Sequence, residues 1–450
     1  MTNANALLEA PLAATLVRQT LPVIGGMLAM LTFNLVDAWF IARLGTEPLA
    51  AVAFTFPVVF AVVSLAIGLG IGTSAVVGHL LGRGERALVA RRGTDAILLA
   101  ALVGGLVTLL GLPSIEALFA ALGADPALMP HIHAYMGVWY WGAALLIVPR
   151  VINSVLRAQG NTRAQGVAMA LAAALNALLD YLLIFGIGPL PALGVAGAAL
   201  ATLLSWGAMT AGLLTYPPLR RCLVLRGLTP RRVWDSWWAL GRIAVPAAIT
   251  SLFTPLAMAL VTRIVAAHGH HAVAAFGVGT RVDAIAQIVV LALSMTLSPL
   301  VSQNLGADRP ERAWRAIRGC FAFVLAWQLG VWGLLQLLAP WLTGGYAEEP
   351  AVGEVLRAFL WLVPLGLGAQ GVVILGVSSL NAMHRPRAAM GLSLVRLFGL
   401  FVPLAWLGGH LAGPMGIFAG MLVANLAIGL IAWWRLRRIW QRRHRGRRER

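Results

Sequence analysis

Long apolar runs follow one another through the whole chain, separated only by short polar connections. A run of about 20 apolar residues is what an α-helix needs to cross a hydrocarbon core of about 30 Å. The residues are 60% hydrophobic and 11% charged, against about 45–50% and about 25% in soluble domains, so a water-soluble fold is excluded. At this spacing 450 residues hold about twelve crossings and leave little for a soluble domain. Breaking the apolar windows at charged and Pro/Gly clusters predicts helices near 17–43, 50–81, 95–121, 131–156, 162–187, 193–216, 238–266, 273–304, 316–342, 352–381, 386–410 and 413–434.

The 34 basic residues are all arginine and stand against 16 acids, a formal charge of +18. So basic a balance raises the question of nucleic acid. The arginines lie in short clusters between apolar runs, however, which is the pattern of cytoplasmic connections, and no nucleic-acid partner is expected. Arg83, Arg86, Arg91 and Arg92 fall in 83–92, Arg157 and Arg163 in 157–163, six arginines in 220–242, four in 309–318 and two in 385–387. The intervening loops are nearly free of arginine: Arg43, beside Glu47, is the exception, and 343–354 holds Glu348, Glu349 and Glu354 without a cation. Twelve crossings with both termini cytoplasmic follow, in the inner (plasma) membrane of the cell. The tail Arg435–Arg450 reads as a topological anchor, with an RNA-binding arm or an anionic-lipid patch as alternatives. Cys222 and Cys320 lie in or beside the arginine-rich loops, so no disulfide is expected. The first sixteen residues carry Glu9 and no basic cluster, so the first apolar segment is expected to remain as a helix rather than to be cleaved.

The chain repeats itself. An offset of 224 places Pro22 on Pro246, Gly45 on Gly269, Gly82 on Gly306 and Leu156 on Leu380. Gly82-Arg83-Gly84-Glu85-Arg86 matches Gly306-Ala307-Asp308-Arg309-Pro310-Glu311-Arg312 with two residues inserted, and Gly194 and Gly197 fall on Gly413 and Gly416 at an offset of 219. The reading is an all-α membrane protein of two pseudo-symmetric six-helix lobes in the same orientation. Its segments are 1–216, a linker with the start of helix 7 at 217–242, 243–434, and the tail 435–450. Parallel repeats about an axis along the membrane normal are a transporter architecture, with the solute held near the midplane.

An ionisable side chain in the apolar core costs about 2.5–3.5 kcal/mol on insertion scales and usually faces a cavity or a partner. Asp37 in helix 1 and Asp180 in helix 5 sit at about the same depth, Asn176 lies one turn from Asp180 on the same face, and Thr202 of helix 6 reaches that level. The offset places Asp37 on Val261, Asn176 on Leu400 and Asp180 on Leu404. Residues kept only for assembly would recur in both halves, so the layer reads as a cation or proton site of the first half. Packing hydrogen bonds, worth about 0.6 kcal/mol on average, are the bland alternative. Two nearby carboxylates in a poorly hydrated place repel each other, which favours holding protons near neutral pH. Asp37, Asn176 and Asp180 would equally serve sodium as oxygen ligands. In the second half, Arg281 and Asp283 read as a partly compensated pair with Gln287 one turn on, either structural or in contact with solute. Gly68-Leu69-Gly70-Ile71-Gly72 follows no soluble strand and reads as close helix packing. A P-loop of the form GxxxxGK[ST] needs a lysine, and there is none, so an ion gradient or the solute's own gradient must supply the energy. No cofactor is expected.

The residues resemble the multidrug and toxic compound extrusion (MATE) family over almost the whole chain. The resemblance rests on Asn34-Leu35-Val36-Asp37 with Leu44-Gly45 and Leu49-Ala50-Ala51-Val52, on Leu156-Arg157-Ala158-Gln159-Gly160-Asn161-Thr162, on Asn176-Ala177-Leu178-Leu179-Asp180-Tyr181, and on Leu193-Gly194-Val195-Ala196-Gly197-Ala198-Ala199. It implies antiport: export of cationic or amphipathic organic compounds against inward H+, with Na+ as the alternative ion. The protein is expected to act as a monomer. The likeness to the DinF-like branch implies coupling roles for Asp37, Asn176, Asp180 and Thr202, and a helix-1 bend at Pro22 on protonation. The carboxy-lobe acids of the NorM-like branch have no match in helices 7 and 10, where Arg263 and Gln370 stand without a central carboxylate.

A flippase for lipid or lipid-linked saccharide would share this architecture but would need cations for a pyrophosphate, for which Arg150, Arg263, Arg281 and Arg396 are candidates. An intramembrane enzyme would need a nucleophile or a metal cluster, and no HExxH or paired Cys/His spacing occurs. The topology is directly testable: a carboxy-terminal green fluorescent protein fusion is expected to fluoresce and an alkaline phosphatase fusion to be inactive. The reverse pattern would refute cytoplasmic termini.

Overall fold

A computed structural model describes residues 7–186, 191–220, 223–224, 229–345 and 349–448, with side chains as far as Arg442. Gly188, Arg221, Cys222, Arg226 and Glu348, which belong to segments discussed above, lie outside the described residues. Among the described residues all regular structure is helical. The first six crossings are α1 (Leu12–Ala42), α2 (Thr46–Gly82), α3 (Arg86–Ala121), α4 (Met129–Trp141 and Ala143–Ala158), α5 (Thr162–Phe185) and α6 (Gly194–Thr215). The second six are α7 (Pro230–Ala266), α8 (His270–Ala286 and Ile288–Gly306), α9 (Pro310–Gly344), α10 (Pro350–Leu362 and Leu367–Ala382), α11 (386–411) and α12 (414–448).

Proline opens α7, α9, α10 and α11, at the first helical position, where its missing N–H has no intrahelical partner to lose. Asn161 caps α5 by accepting from the Ala164 N–H at 3.4 Å, one of the donors that a helix start leaves open. Several helices begin or end beyond the apolar windows, because their terminal turns carry arginine. α3 starts at Arg86, α7 at Pro230 and α9 at Pro310, and the arginine-rich tail continues α12 to Arg448.

Among the described residues, ten helices pass as membrane spans by length and composition, or eleven with the α4 halves joined across their 45° bend. The last of these, Pro386–Arg442, is two crossings. Its backbone leaves helical geometry at Ala412 and at Gly413, whose φ of +59° suits glycine. The chain then returns alongside itself, so that a Cβ on Gly408 would strike the Gly416 backbone and one on Gly420 the Leu404 carbonyl. Twelve crossings result, as the apolar runs predict.

The chain forms two compact units, Met1–Ala248 with Ser302–Asp308, and Ile249–Val301 with Arg309–Arg450. The first is built around Phe119, Trp139, Ile147, Ile152 and Leu156. In it α1 lies so close to α5 that a Cβ on Gly166 would overlap the Pro22 carbonyl. The start of α7 is tied to α3 in this unit: Ser236 donates to the fully buried Asp95 carboxylate and Trp237 Nε1 donates to the Asp95 carbonyl at 2.9 Å. The end of α8 is tied in as well, with Ser302 donating to the Ala75 carbonyl at 2.6 Å, Gln303 to that of Ala158 and Asn304 to that of Leu7 at 3.1 Å. The second unit is centred on Phe359, which meets Phe276 and Phe418 edge-on at 6.0 and 5.1 Å. Cys320 is buried within α9.

Gly166→Leu must push α5 off α1. It is expected to destabilise the protein by about 1–3 kcal/mol, the usual range for overpacking, read as a lower thermal midpoint in detergent. An unchanged midpoint would mean that α1 and α5 are not in close contact at Pro22.

Candidate functional site

α1, α5 and α6 bring the four expected residues together in the first unit. Asp37 lies five residues before the end of α1, Asp180 five and Asn176 nine before the end of α5, and Thr202 eight after the start of α6. At about 1.5 Å per residue these form one layer, about 8–13 Å inside the helix ends. Asn176 Nδ2 donates to Thr202 Oγ1 at 3.4 Å, and Thr202 donates in turn to the Ala198 carbonyl at 3.0 Å. Asp180 is fully buried and Asn176 and Thr202 nearly so. Both carboxylate oxygens of Asp180, Oδ1 of Asp37 and Oδ1 of Asn176 are buried without a hydrogen-bond partner, and the two carboxylates lie within each other's field. Buried polar atoms are nearly always satisfied. Four unsatisfied oxygens in one layer therefore describe a place that gains by taking up a cation.

Tyr135 also belongs to this layer. It stands six residues inside α4 and feels both Asp37 and Asp180. It has no sequence signal, since a tyrosine near the end of an apolar helix also suits the membrane interface. Towards the Gly45 end the layer is covered by Ile41, Ile184, Val195 and Ala198 with Phe40 and Phe185. Phe40 packs on Tyr181 and Phe185 with ring centroids 6.0 and 5.8 Å apart. Away from that end, the α1–α5 contact of Pro22 with Gly166 closes the space between the two helices, and Gln19 donates to the Gly160 carbonyl at 2.7 Å. Met136 and Tyr140 are buried in the main core and Phe33 is buried on α1, as packing residues. The Leu156–Thr162 motif closes the α4–α5 turn: Arg157 donates to Gln165 at 3.0 Å and to Ser154 at 2.6 Å, and Asn161 donates to the Tyr216 hydroxyl at 3.0 Å.

The repeat supplies an internal control. Val261, Leu400 and Leu404 stand where Asp37, Asn176 and Asp180 stand in the first half, and the 219 offset puts Met421 in the place of Thr202. All four belong to one aliphatic and aromatic cluster of the second unit. The same positions thus meet in both halves, as core in one and as a polar layer in the other.

Arg281 and Asp283 do not pair. Residues two apart on a helix point to different sides; Arg281 is exposed, whereas Asp283 Oδ1 is buried without a hydrogen-bond partner. Gln287 stands one turn on, at the break of α8, with Oε1 also buried and unpartnered. Another helix meets α8 at this break. Gln328 of α9, nearly fully buried, donates Nε2 to the Ala286 carbonyl at 3.0 Å. No local pattern announces it, since the partners are 42 residues apart. The positions equivalent to Asp283 and Gln287 in the first half are Val59 and Val63, on the unbroken α2. Of the other candidate cations, Arg263 is exposed, Arg150 is half-buried on α4, and Arg396 is half-buried in a π-helical turn, Val395–Phe401. No group of three or more His, Cys, Asp or Glu able to hold a metal occurs among the described residues.

The MatE family model matches the chain twice, over residues 22–182 and 246–407. The two matches start at the two prolines that the 224-residue offset superposes. The chain is 40% identical to the FAD transporter of Shewanella oneidensis, over 98% of its own length and 97% of that protein. It is 25% identical to the probable multidrug resistance protein NorM of Thermotoga maritima, over 76% and 74% of the two chains. Among solved structures, the Vibrio cholerae MATE transporter VcmN in its bent form superposes with a TM-score of 0.90, at 32% identity and 98% coverage of both chains.

Asp180→Leu installs the second half's residue in the first. It removes a buried unpaired carboxylate, so the thermal midpoint is expected to hold or rise while transport is lost. A fall of the midpoint with transport intact would show Asp180 to be structural.

Proposed function

The chain belongs to the MATE family of membrane transporters, multi-pass inner-membrane proteins that move solutes and are not enzymes, and from that premise we propose a secondary exporter driven by a cation bound at Asp37 and Asp180. The observation that carries this reading is the layer of unsatisfied oxygens in the first unit, set against its wholly apolar counterpart in the second. The proton is the coupling ion favoured here. A single proton on the two carboxylates would relieve their repulsion, whereas a sodium ion would have to draw its remaining ligands from Asn176, Thr202 and the backbone.

Pro22 connects the layer to movement. It has no N–H, so the carbonyl one turn earlier, on Arg18, lacks its usual helical donor and α1 is softest there. The Pro22 carbonyl rests on Gly166, which makes that contact the fulcrum for a bend. Protonation from outside would discharge the layer, let α1 bend at Pro22 and release the solute; deprotonation towards the cytoplasm would restore the loading state. Coupling needs only that proton and solute prefer different states of this equilibrium. At about 150 mV one charge supplies about 3.5 kcal/mol, enough for a few hundred-fold solute gradient.

The relative of Shewanella oneidensis bears the name FAD transporter, which makes flavin adenine dinucleotide the first cargo to examine. As an anion it would leave a negative-inside cell down the electrical gradient. Organic cations are the second reading, favoured by the multidrug names of less similar relatives.

Uptake into inside-out vesicles, with flavin adenine dinucleotide and a fluorescent organic cation offered separately, tests both ion and cargo. Transport driven by an imposed pH gradient and lost in Asp37→Asn is expected. Transport driven by sodium alone would reassign the layer to metal ligands. No transport of either solute under either gradient would overturn the exporter reading in favour of a flippase.

A further inference from the structure

We propose that the ends of α11 and α12 form a binding site for an anionic phospholipid, its phosphate held by Arg387, Arg435, Arg438 and Arg442 and its acyl chain lying along the apolar outer faces beside them. The site lies wholly within the second unit and is separate from the coupling layer.

Length is the first observation. α12 runs over 414–448, about 52 Å at 1.5 Å per residue, whereas a hydrocarbon core is about 30 Å thick. Its last turns therefore stand at headgroup level and beyond. An exposed helical extension carrying so many like charges would be expected to fray, yet this one is held. Trp314 of α9 is stacked between Trp433 at 5.8 Å and Trp440 at 5.2 Å, with ring planes 18° and 14° apart, and Leu436 between them is 1% exposed.

The stack also fixes the rotation of the helix. With 433, 436 and 440 turned to α9, a spacing of about 100° per residue puts 435, 438 and 442 on the opposite side. There Arg435 Nη1 lies 3.9 Å from the position of a Cβ on Gly391, which places it against α11, and Arg387 sits one turn before Gly391 on the same face. The Arg438 guanidinium covers the Trp434 ring at 3.6 Å. Four arginines from two neighbouring helices thus stand at one end of the α11–α12 hairpin. The chain carries no acid between Glu354 and Glu449 to neutralise them. Beneath the arginines, Trp434, Leu430 and Val423 share one side of α12 and are 52%, 71% and 54% exposed, while Leu394 and Val395 are exposed on α11.

Each part has a match in a phospholipid. Guanidinium groups pair bidentately with phosphate; a basic pocket between helix ends recognises anionic headgroups; and the exposed aliphatic side chains run where the acyl chain must lie. A soluble anion would satisfy only the first of these.

The test uses the full-length protein, purified in detergent and stripped of lipid. Phosphatidylglycerol in mixed micelles is expected to raise the thermal midpoint and to appear as discrete adducts in native mass spectra, whereas phosphatidylcholine and inorganic phosphate at equal concentration do neither. At about five-fold per arginine, the triple variant Arg435→Gln, Arg438→Gln, Arg442→Gln should bind phosphatidylglycerol on the order of 100-fold more weakly. Arg387→Gln alone should lose about five-fold, and keeps the test decisive should the triple variant fail to fold. Arg231→Gln with Arg232→Gln, on α7, should bind as the wild type does. Equal effects of phosphatidylcholine, equal effects of inorganic phosphate, or wild-type affinity in Arg387→Gln would each overturn the proposal.

Discussion

Polar groups inside a membrane protein have no water to fall back on, and the architecture follows from how each one is answered. Backbone groups are answered by helix formation, the only continuous solution these apolar runs allow. Side chains are answered singly. Ser236 and Trp237 serve Asp95 at the start of α7, and Ser302, Gln303 and Asn304 each donate to a backbone carbonyl at the end of α8. These contacts hold together segments more than 140 residues apart in sequence. Single unpartnered oxygens remain elsewhere, on Asp95 and Asn381 for example, but Asp37, Asn176 and Asp180 gather four of them in one layer, which is what the proposed cation site rests on.

The internal repeat turns that contrast into a comparison within one molecule. The same backbone positions converge in both halves, and in the second they are filled by Val261, Leu400, Leu404 and Met421. An apolar filling is the more stable one, since unpaired buried carboxylates are destabilising. The polar filling survives in the first half at a cost in stability, the usual mark of a functional site. Its surroundings agree: the Phe40, Tyr181 and Phe185 cluster covers one side, and the Pro22–Gly166 contact lies on the other. In the proposed cycle, a proton taken up here would change the charge between the two helices that meet at the proline.

The second half has its own departure from regularity. Gln328 donates to the Ala286 carbonyl at the break of α8, and Asp283 and Gln287, one turn apart there, each keep an unpartnered oxygen. Further along the chain the α11–α12 hairpin turns at Gly413, and the arginine-rich extension of α12 is locked by the Trp314 stack. The extension that looks like a tail in the sequence is helix because three indole rings fix it in place.

The number of crossings, the repeat and its 224-residue offset are legible in the amino-acid sequence, because they depend on apolar length and on glycine and proline placement, which are local and periodic properties. Asp37, Asn176 and Asp180 are legible for a related reason, since a polar group within an apolar run is conspicuous wherever it points. Tyr135, Gln328 and the pinned end of α12 are not. Each depends on which residue of a distant helix stands opposite, and helical periodicity fixes the face a residue occupies but not the partner that face will meet. Arg281 and Asp283 are the converse case: two residues apart in sequence and opposite in charge, they are separated by helical rotation alone. Only packing decided that the carboxylates of the first half, carried on two different helices, would come within each other's field.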